Sequence, residues 1–247
     1  MIRAVLFDLD DTLVDHQEAS RAAIAGVRER FAGLQARPLD DLVRENQRIL
    51  DAMHHEVAIG ARDVADARIE RYRRLFAYAG AAPERASAAA ELHRRLYQGG
   101  RRCVEGALEL VEHLHSRLRI AVVTNNTMAE QREKLATFGF APHVDALVTS
   151  EEIGVAKPDA RIFRAALERL ACEPHEAVMV GDAWVQDVLG ATGAGIRALW
   201  FNRFGVAHPD PAVAMQITAL HPVADIAMLV APDHALLARR FADGPDA

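Results

Sequence analysis

Apolar positions along this chain follow two different periods, and the change of period divides it. Between residues 16 and 99 apolar side chains recur at helical spacing and almost no strand-like run interrupts them. That pattern predicts helices around Glu18–Phe31, Leu39–Glu56, Arg62–Ala79 and Pro83–Gln98. Breaks fall at Gly33 with Pro38, at Gly60, and at Gly80 with Pro83, which are ordinary helix-ending signals. From about Arg102 onward short β-rich runs alternate with amphipathic stretches. Arg119–Val123, Ala146–Val148, Ala177–Val180 and Arg197–Phe201 are expected as strands; Gly106–Ser116, Met128–Phe138, Asp159–Ala171 and Trp184–Thr192 are expected as helices between them. Such alternation specifies an α/β fold with a doubly wound parallel sheet. A further strand over residues 3–7, carried by Val5, Leu6 and Phe7, has the same buried character and belongs to that sheet. The helical block therefore reads as an insert: an α/β core of residues 1–15 and 100–247, an all-helical domain of residues 16–99, and hinges near Val14–His16 and at Gly99-Gly100. After Pro209 a short strand at Met215–Thr218 and one or two helices complete the pattern.

Polar groups cluster where the apolar runs stop. The first strand ends in Asp8, Asp10 and Asp11, three carboxylates within four positions, followed by Thr12. Ligands of a parallel sheet bind at that strand edge, and converging carboxylates there can hold a divalent cation, attack an electrophile or carry protons. The bland alternative is an acidic turn that caps a helix. Later runs end similarly: Ile120–Val123 in Thr124-Asn125-Asn126, and Ala177–Val180 in Gly181-Asp182 with Asp187 five residues on. Lys157 stands before Pro158-Asp159, where a helical pattern opens. A carboxylate ending a buried strand is costly unless paired or metal-bound, which favours function for Asp8, Asp10 and Asp182. Asn126 reads better as a turn residue, and Asp187 could be an acidic residue near a helix start.

Taken in order, Asp8, Asp10, Thr12, Thr124, Lys157, Gly181, Asp182 and Asp187 resemble the four motifs of the haloacid dehalogenase superfamily, over residues 1–15 and about 100–205. The resemblance implies a Rossmann-like core with a helical cap and an Mg2+-dependent phosphatase acting on a small phosphate ester, with a nucleoside 5′-monophosphate among the candidates. It assigns Asp8 as nucleophile and Asp10 as acid and then base. Mg2+ would be held by Asp8, Asp182 and the Asp10 carbonyl. Phosphate binding falls to Thr124, Asn125 and Lys157, with Asp187 supporting from behind. Haloacid dehalogenases replace the second aspartate, so Asp10 argues against that activity. Phosphonatases need a cap lysine, and residues 16–99 contain none. A sugar-phosphate mutase stays open, and so does a non-catalytic binding protein, although no motif residue is missing.

Composition sharpens one residue and bounds the rest. Of 29 Lys plus Arg, only Lys134 and Lys157 are lysines. A compact ammonium suits a crowded site better than a planar guanidinium, so the scarcity supports Lys157. Lys134, within Gln131-Arg132-Glu133-Lys134, reads as an exposed helical residue with acidic neighbours. At 247 residues and 51% hydrophobic the chain can bury a large core. A net charge of −6 offers no attraction to nucleic acid or anionic membranes, and no apolar run is long enough to span a bilayer. Cys103 and Cys172 lack metal-site spacing and are expected as buried thiols, in keeping with a reducing cytoplasm and no leader segment. Within the insert, His54, His55, Arg62, Arg68 and Arg71 are candidates to read the substrate, Arg71 first, because it sits mid-helix after the Gly60 break. The pattern specifies no oligomeric state.

Overall fold

The computed structural model describes residues 1–58 and 63–232. Gly60 and Arg62 fall outside the described residues, as do the side chains of His54 and His55. The chain divides into two compact units, one of Met1–Val14 with Cys103 onward, the other Asp15–Arg102. Eight strands are present among the described residues: β1 Ala4–Phe7, β2 Val14–Asp15, β3 Arg102–Cys103, β4 Arg119–Thr124, β5 Ala146–Thr149, β6 Ala177–Gly181, β7 Arg197–Phe201 and β8 Met215–Ile217. Six of them form one sheet in the order β5-β4-β1-β6-β7-β8, and β2 with β3 forms a two-stranded ribbon where the chain passes between the units. All pairings within the large sheet are parallel. The chain builds outward to β5 on one side of β1, then returns to β6 on the other. The crevice of such a sheet lies at that reversal, outside the carboxyl ends of β1 and β6.

Alternate residues of each strand face opposite sides, and both faces are apolar, as a sheet covered by helices requires. Val5, Phe7, Ile120, Val122, Val178 and Val180 enter one core, closed by helices α6 (Ala107–His115) and α11 (Val223–Val230). Ala4, Leu6, Ala121, Val123, Ala177 and Met179 enter the other. There they meet α9 (Ala160–Leu170), whose Ile162, Phe163, Ala166, Leu167 and Leu170 make the apolar stripe of an amphipathic helix. Helices α7 (Met128–Thr137), α8 (Ser150–Ile153) and α10 (Gly190–Gly193) complete this unit. The segment Trp184–Leu189, expected as the start of an α-helix, is π-helical.

The second unit holds α1 (His16–Arg30), α2 (Ala32–Gln35), α3 (Leu39–Ala58), α4 (Val64–Tyr78) and α5 (Ala86–Gly100) around a core that includes Ile24, Val27, Leu42, Ile49, Tyr72, Leu75 and Phe76. Asp15 caps α1 by accepting from the Glu18 backbone N–H, and Asp63 caps α4 by accepting from Ala65 and Asp66. Gly99-Gly100, expected as a hinge, forms the last residues of α5, and the division between units falls at Arg102. Cys103 and Cys172 are half-buried rather than buried, and both are free thiols. No helix among the described residues is long and apolar enough to cross a membrane.

Candidate active site

Asp8 directly follows β1, and its backbone N–H still donates to the Val180 carbonyl at 3.0 Å, so the sheet ladder fixes the residue at the crevice. A tight turn comes next. Leu13 N–H donates to the Leu9 carbonyl at 2.9 Å and Asp11 N–H to the Val14 carbonyl at 2.7 Å, while buried Leu9 and Leu13 anchor the turn in the core. Asp11 takes the left-handed conformation with φ of 65°, which Asp tolerates better than most residues. Across the crevice, Asp182 follows β6. Thr12 hydroxyl donates to Asp182 Oδ1 at 3.2 Å and accepts from the Asp182 backbone N–H at 3.1 Å, tying the first loop to the second.

Lys157 binds these groups together. Its buried ammonium donates to Asp8 Oδ1 at 2.5 Å and to Asp187 Oδ1 at 2.6 Å. The second Asp187 oxygen accepts from Ala183 N–H at 2.9 Å. Asp187 passes so close to Gly181 that a Cβ on Gly181 would occupy the space of its carboxyl group. Asn125 clamps the Lys157 backbone from both sides, its Oδ1 accepting at 2.7 Å and its Nδ2 donating to the carbonyl at 3.0 Å. Thr124 ends β4, buried. Carboxylate oxygens of Asp8, Asp182 and Asp187 lie within 4.8 Å of one another.

A family model described as haloacid dehalogenase-like hydrolase matches residues 2–195, most of the chain and every residue of this cluster. The chain belongs to the haloacid dehalogenase-like hydrolases. Among relatives of known name, the phosphoserine phosphatase of Thermus thermophilus is 35% identical over 231 residues, covering 85% of this chain and 92% of the relative. Pyrimidine 5′-nucleotidase YjjG of Escherichia coli is 36% identical over 118 residues, covering 47% of this chain and 52% of the relative. A solved 2-haloacid dehalogenase from Pseudomonas syringae superposes with a TM-score of 0.65 at 27% identity, covering 97% of this chain and 99% of that one.

Within the haloacid dehalogenase-like site, the electrostatics are those of crowded anions. Burial, reinforced by the neighbouring Asp187 charge and only partly offset by Lys157, pushes the Asp8 carboxyl up to about 7. Burial and the charges of Asp8 and Asp187 push Asp182 up to about 9. Lys157 is raised as well: burial would discharge it, but the carboxylates of Asp187 and Asp8 outweigh burial and hold it charged. Asp8 Oδ2 and Asp182 Oδ2 accept no hydrogen bond among the described residues, whereas both oxygens of Asp187 are engaged. Excess negative charge with two open carboxylate oxygens fits a hard divalent cation.

One residue behaves otherwise than the sequence suggests. Lys134, expected on an exposed helix face, is 0% exposed, and its ammonium donates to Asp10 Oδ1 at 2.6 Å and Oδ2 at 2.9 Å. An apolar environment admits such an ammonium only with a carboxylate partner. Asp10 lies outside the carboxylate cluster and turns its side chain toward α7. Gln131, one turn before Lys134, donates to Asp10 Oδ2 at 3.0 Å and to Thr124 Oγ1 at 2.7 Å. Asn126 serves its turn by accepting from Thr127 N–H, and its Nδ2 stands 3.5 Å from Asp10 Oδ2. In the helical unit, Arg71 is 8% exposed with its guanidinium 5.3 Å from the Tyr72 ring centroid, and Arg68 is half-buried. Beside it Tyr72 hydroxyl meets His93 Nδ1 at 2.7 Å, and burial with the Arg71 charge lowers His93 to about 2.

Proposed function

We propose that this hydrolase is an Mg2+-dependent phosphomonoesterase acting on a small phosphorylated metabolite, with nucleoside 5′-monophosphates among the candidates, through an aspartyl-phosphate. The observation that carries the reading is one ammonium, Lys157, shared between Asp8 and Asp187 beside the open oxygens of Asp8 and Asp182. Asp8 and Asp182 would hold the cation, with the Asp10 carbonyl as the third protein ligand. Bound there, Mg2+ would neutralise charge on the transferring phosphoryl oxygens, without which an anionic nucleophile is repelled by an anionic ester. Lys157 adds a second positive charge at the same place and keeps Asp8 oriented. Thr124 hydroxyl and the Asn125 backbone N–H donate to the phosphoryl oxygens. Asp8 attacks phosphorus; the ester oxygen departs with the proton of Asp10. Asp10 then takes a proton from water as that water attacks phosphorus and frees Asp8.

The dehalogenase relative raises the rival reading on the same fold. A halide leaves without protonation, so a displacement at carbon has no use for an acid at Asp10. The substrate is proposed to be read by the helical unit, with Arg71 the first residue to examine. Hydrolysis of p-nitrophenyl phosphate with and without Mg2+, beside chloride release from 2-chloropropionate, tests the reading. Phosphate release abolished by chelator and restored by Mg2+ is expected. Chloride release without phosphate release, or phosphate release indifferent to chelator, contradicts it. A panel including O-phosphoserine and nucleoside 5′-monophosphates then ranks substrates.

A further inference from the structure

We propose that Lys134 and Gln131 are positioning residues that set the carboxylate of Asp10 and the hydroxyl of Thr124 as one unit. This rests on the reading of Asp10 as the group that serves the leaving oxygen. The two lysines of the chain are spent alike: Lys157 meets Asp8 and Lys134 meets Asp10, two carboxylates of one loop. Lys134 approaches both oxygens of Asp10 from α7, at 2.6 and 2.9 Å, with Glu130 a second carboxylate at 3.5 Å. Gln131 lies three residues earlier and therefore on the same helix face. Its Nε2 bridges Asp10 Oδ2 at 3.0 Å and Thr124 Oγ1 at 2.7 Å.

The bridge has a directional consequence. A hydroxyl that accepts from Gln131 keeps its own hydrogen to give elsewhere, so Thr124 is set as a donor toward the crevice. An aspartate has two side-chain torsions, and three donors on its carboxylate remove that freedom. Proton transfer needs the acid within hydrogen-bond reach of the departing oxygen, and small misplacements there are costly. One helix thus aligns the proton-transferring carboxylate and the phosphate-binding hydroxyl, and neither Lys134 nor Gln131 need touch the substrate.

The test is a leaving-group comparison combined with a double-mutant cycle. Lys134→Met, Gln131→Leu, Asp10→Asn and the pairwise variants with Asp10→Asn are assayed on an alkyl phosphate and on p-nitrophenyl phosphate. Melting curves are recorded for each. The expected result is that kcat for the alkyl ester falls at least about tenfold further than for the aryl ester, whose leaving group needs little protonation. In the Asp10→Asn background the second substitution should add little further leaving-group bias. Gln131→Leu leaves no unpaired charge, so it carries the test if Lys134→Met does not fold. Equal losses on both esters in Lys134→Met and Gln131→Leu, while Asp10→Asn retains its leaving-group bias, overturn the proposal alone. Absence of bias in Asp10→Asn itself overturns the acid reading and the proposal with it.

Discussion

Asp8 is held by the sheet on one side and by Lys157 on the other, so its role can be tested without disturbing its surroundings. Asp8→Asn keeps the shape and a polar partner for Lys157, which retains Asp187. An amide cannot form the acyl-phosphate, so kcat for p-nitrophenyl phosphate should fall by about 10⁴-fold or more while the melting temperature moves by only a few degrees, about what one kcal/mol of stability is worth. Turnover of even a few per cent in a clean preparation would assign the nucleophile elsewhere. Asp8, Asp182 and Lys157 were legible in the sequence because each interrupts an apolar run or stands out by scarcity. Lys134 was misread because helical spacing says which residues share a face, not whether water or a buried carboxylate meets that face. Its signal was available: the lysine scarcity that singled out Lys157 applies equally to Lys134, and Gln131 lies on the same face.

At the scale of elements, the run from β6 into the π-helical turn depends on one missing side chain. Gly181 lacks the Cβ that would collide with Asp187, and that approach lets Asp187 reach both Lys157 and the Ala183 N–H. Gly181→Ala should cost about 1–3 kcal/mol by overpacking and displace Asp187 from Lys157. Thermal melting and phosphatase assays should therefore fall together; a variant with native stability and activity would mean that the turn yields freely. Apolar runs made the six sheet strands and the long helices legible to within a few residues. The π-helical form of Trp184–Leu189 was not, since its sequence fits an ordinary helix. Gly99-Gly100 closes α5, two residues before the division between the units at Arg102.

At the scale of the whole molecule, two carboxyls of one crevice sit far above their ordinary value, which gives the stability tied to them a definite dependence on pH. Asp8 and Asp182 have an ordinary value of 3.8 but sit near 7 and 9 in the folded chain, mainly because they are buried. Folding therefore takes up protons that the unfolded chain has released. The stability tied to these groups is fully present below about pH 3.8 and is lost as pH rises through 7 and then 9. On the proposed reading Mg2+ would compete with those protons, so its effect on the melting temperature should be small near pH 5.5 and grow toward pH 9. Asp182→Asn should flatten that growth. A melting shift with Mg2+ that is the same at all pH values would place the ion elsewhere. The order of strands also bears on synthesis. Ala4–Phe7 emerges early, yet its partners are Arg119–Thr124 and Ala177–Gly181. At ordinary translation rates the second partner follows on the order of ten to thirty seconds later. Until then an apolar strand that will sit mid-sheet waits without neighbours while the helical unit, whose contacts are local, is free to form. Nascent chains halted before residue 181 should accordingly be sticky, and chaperone demand should be set by that interval rather than by the stability of the finished enzyme.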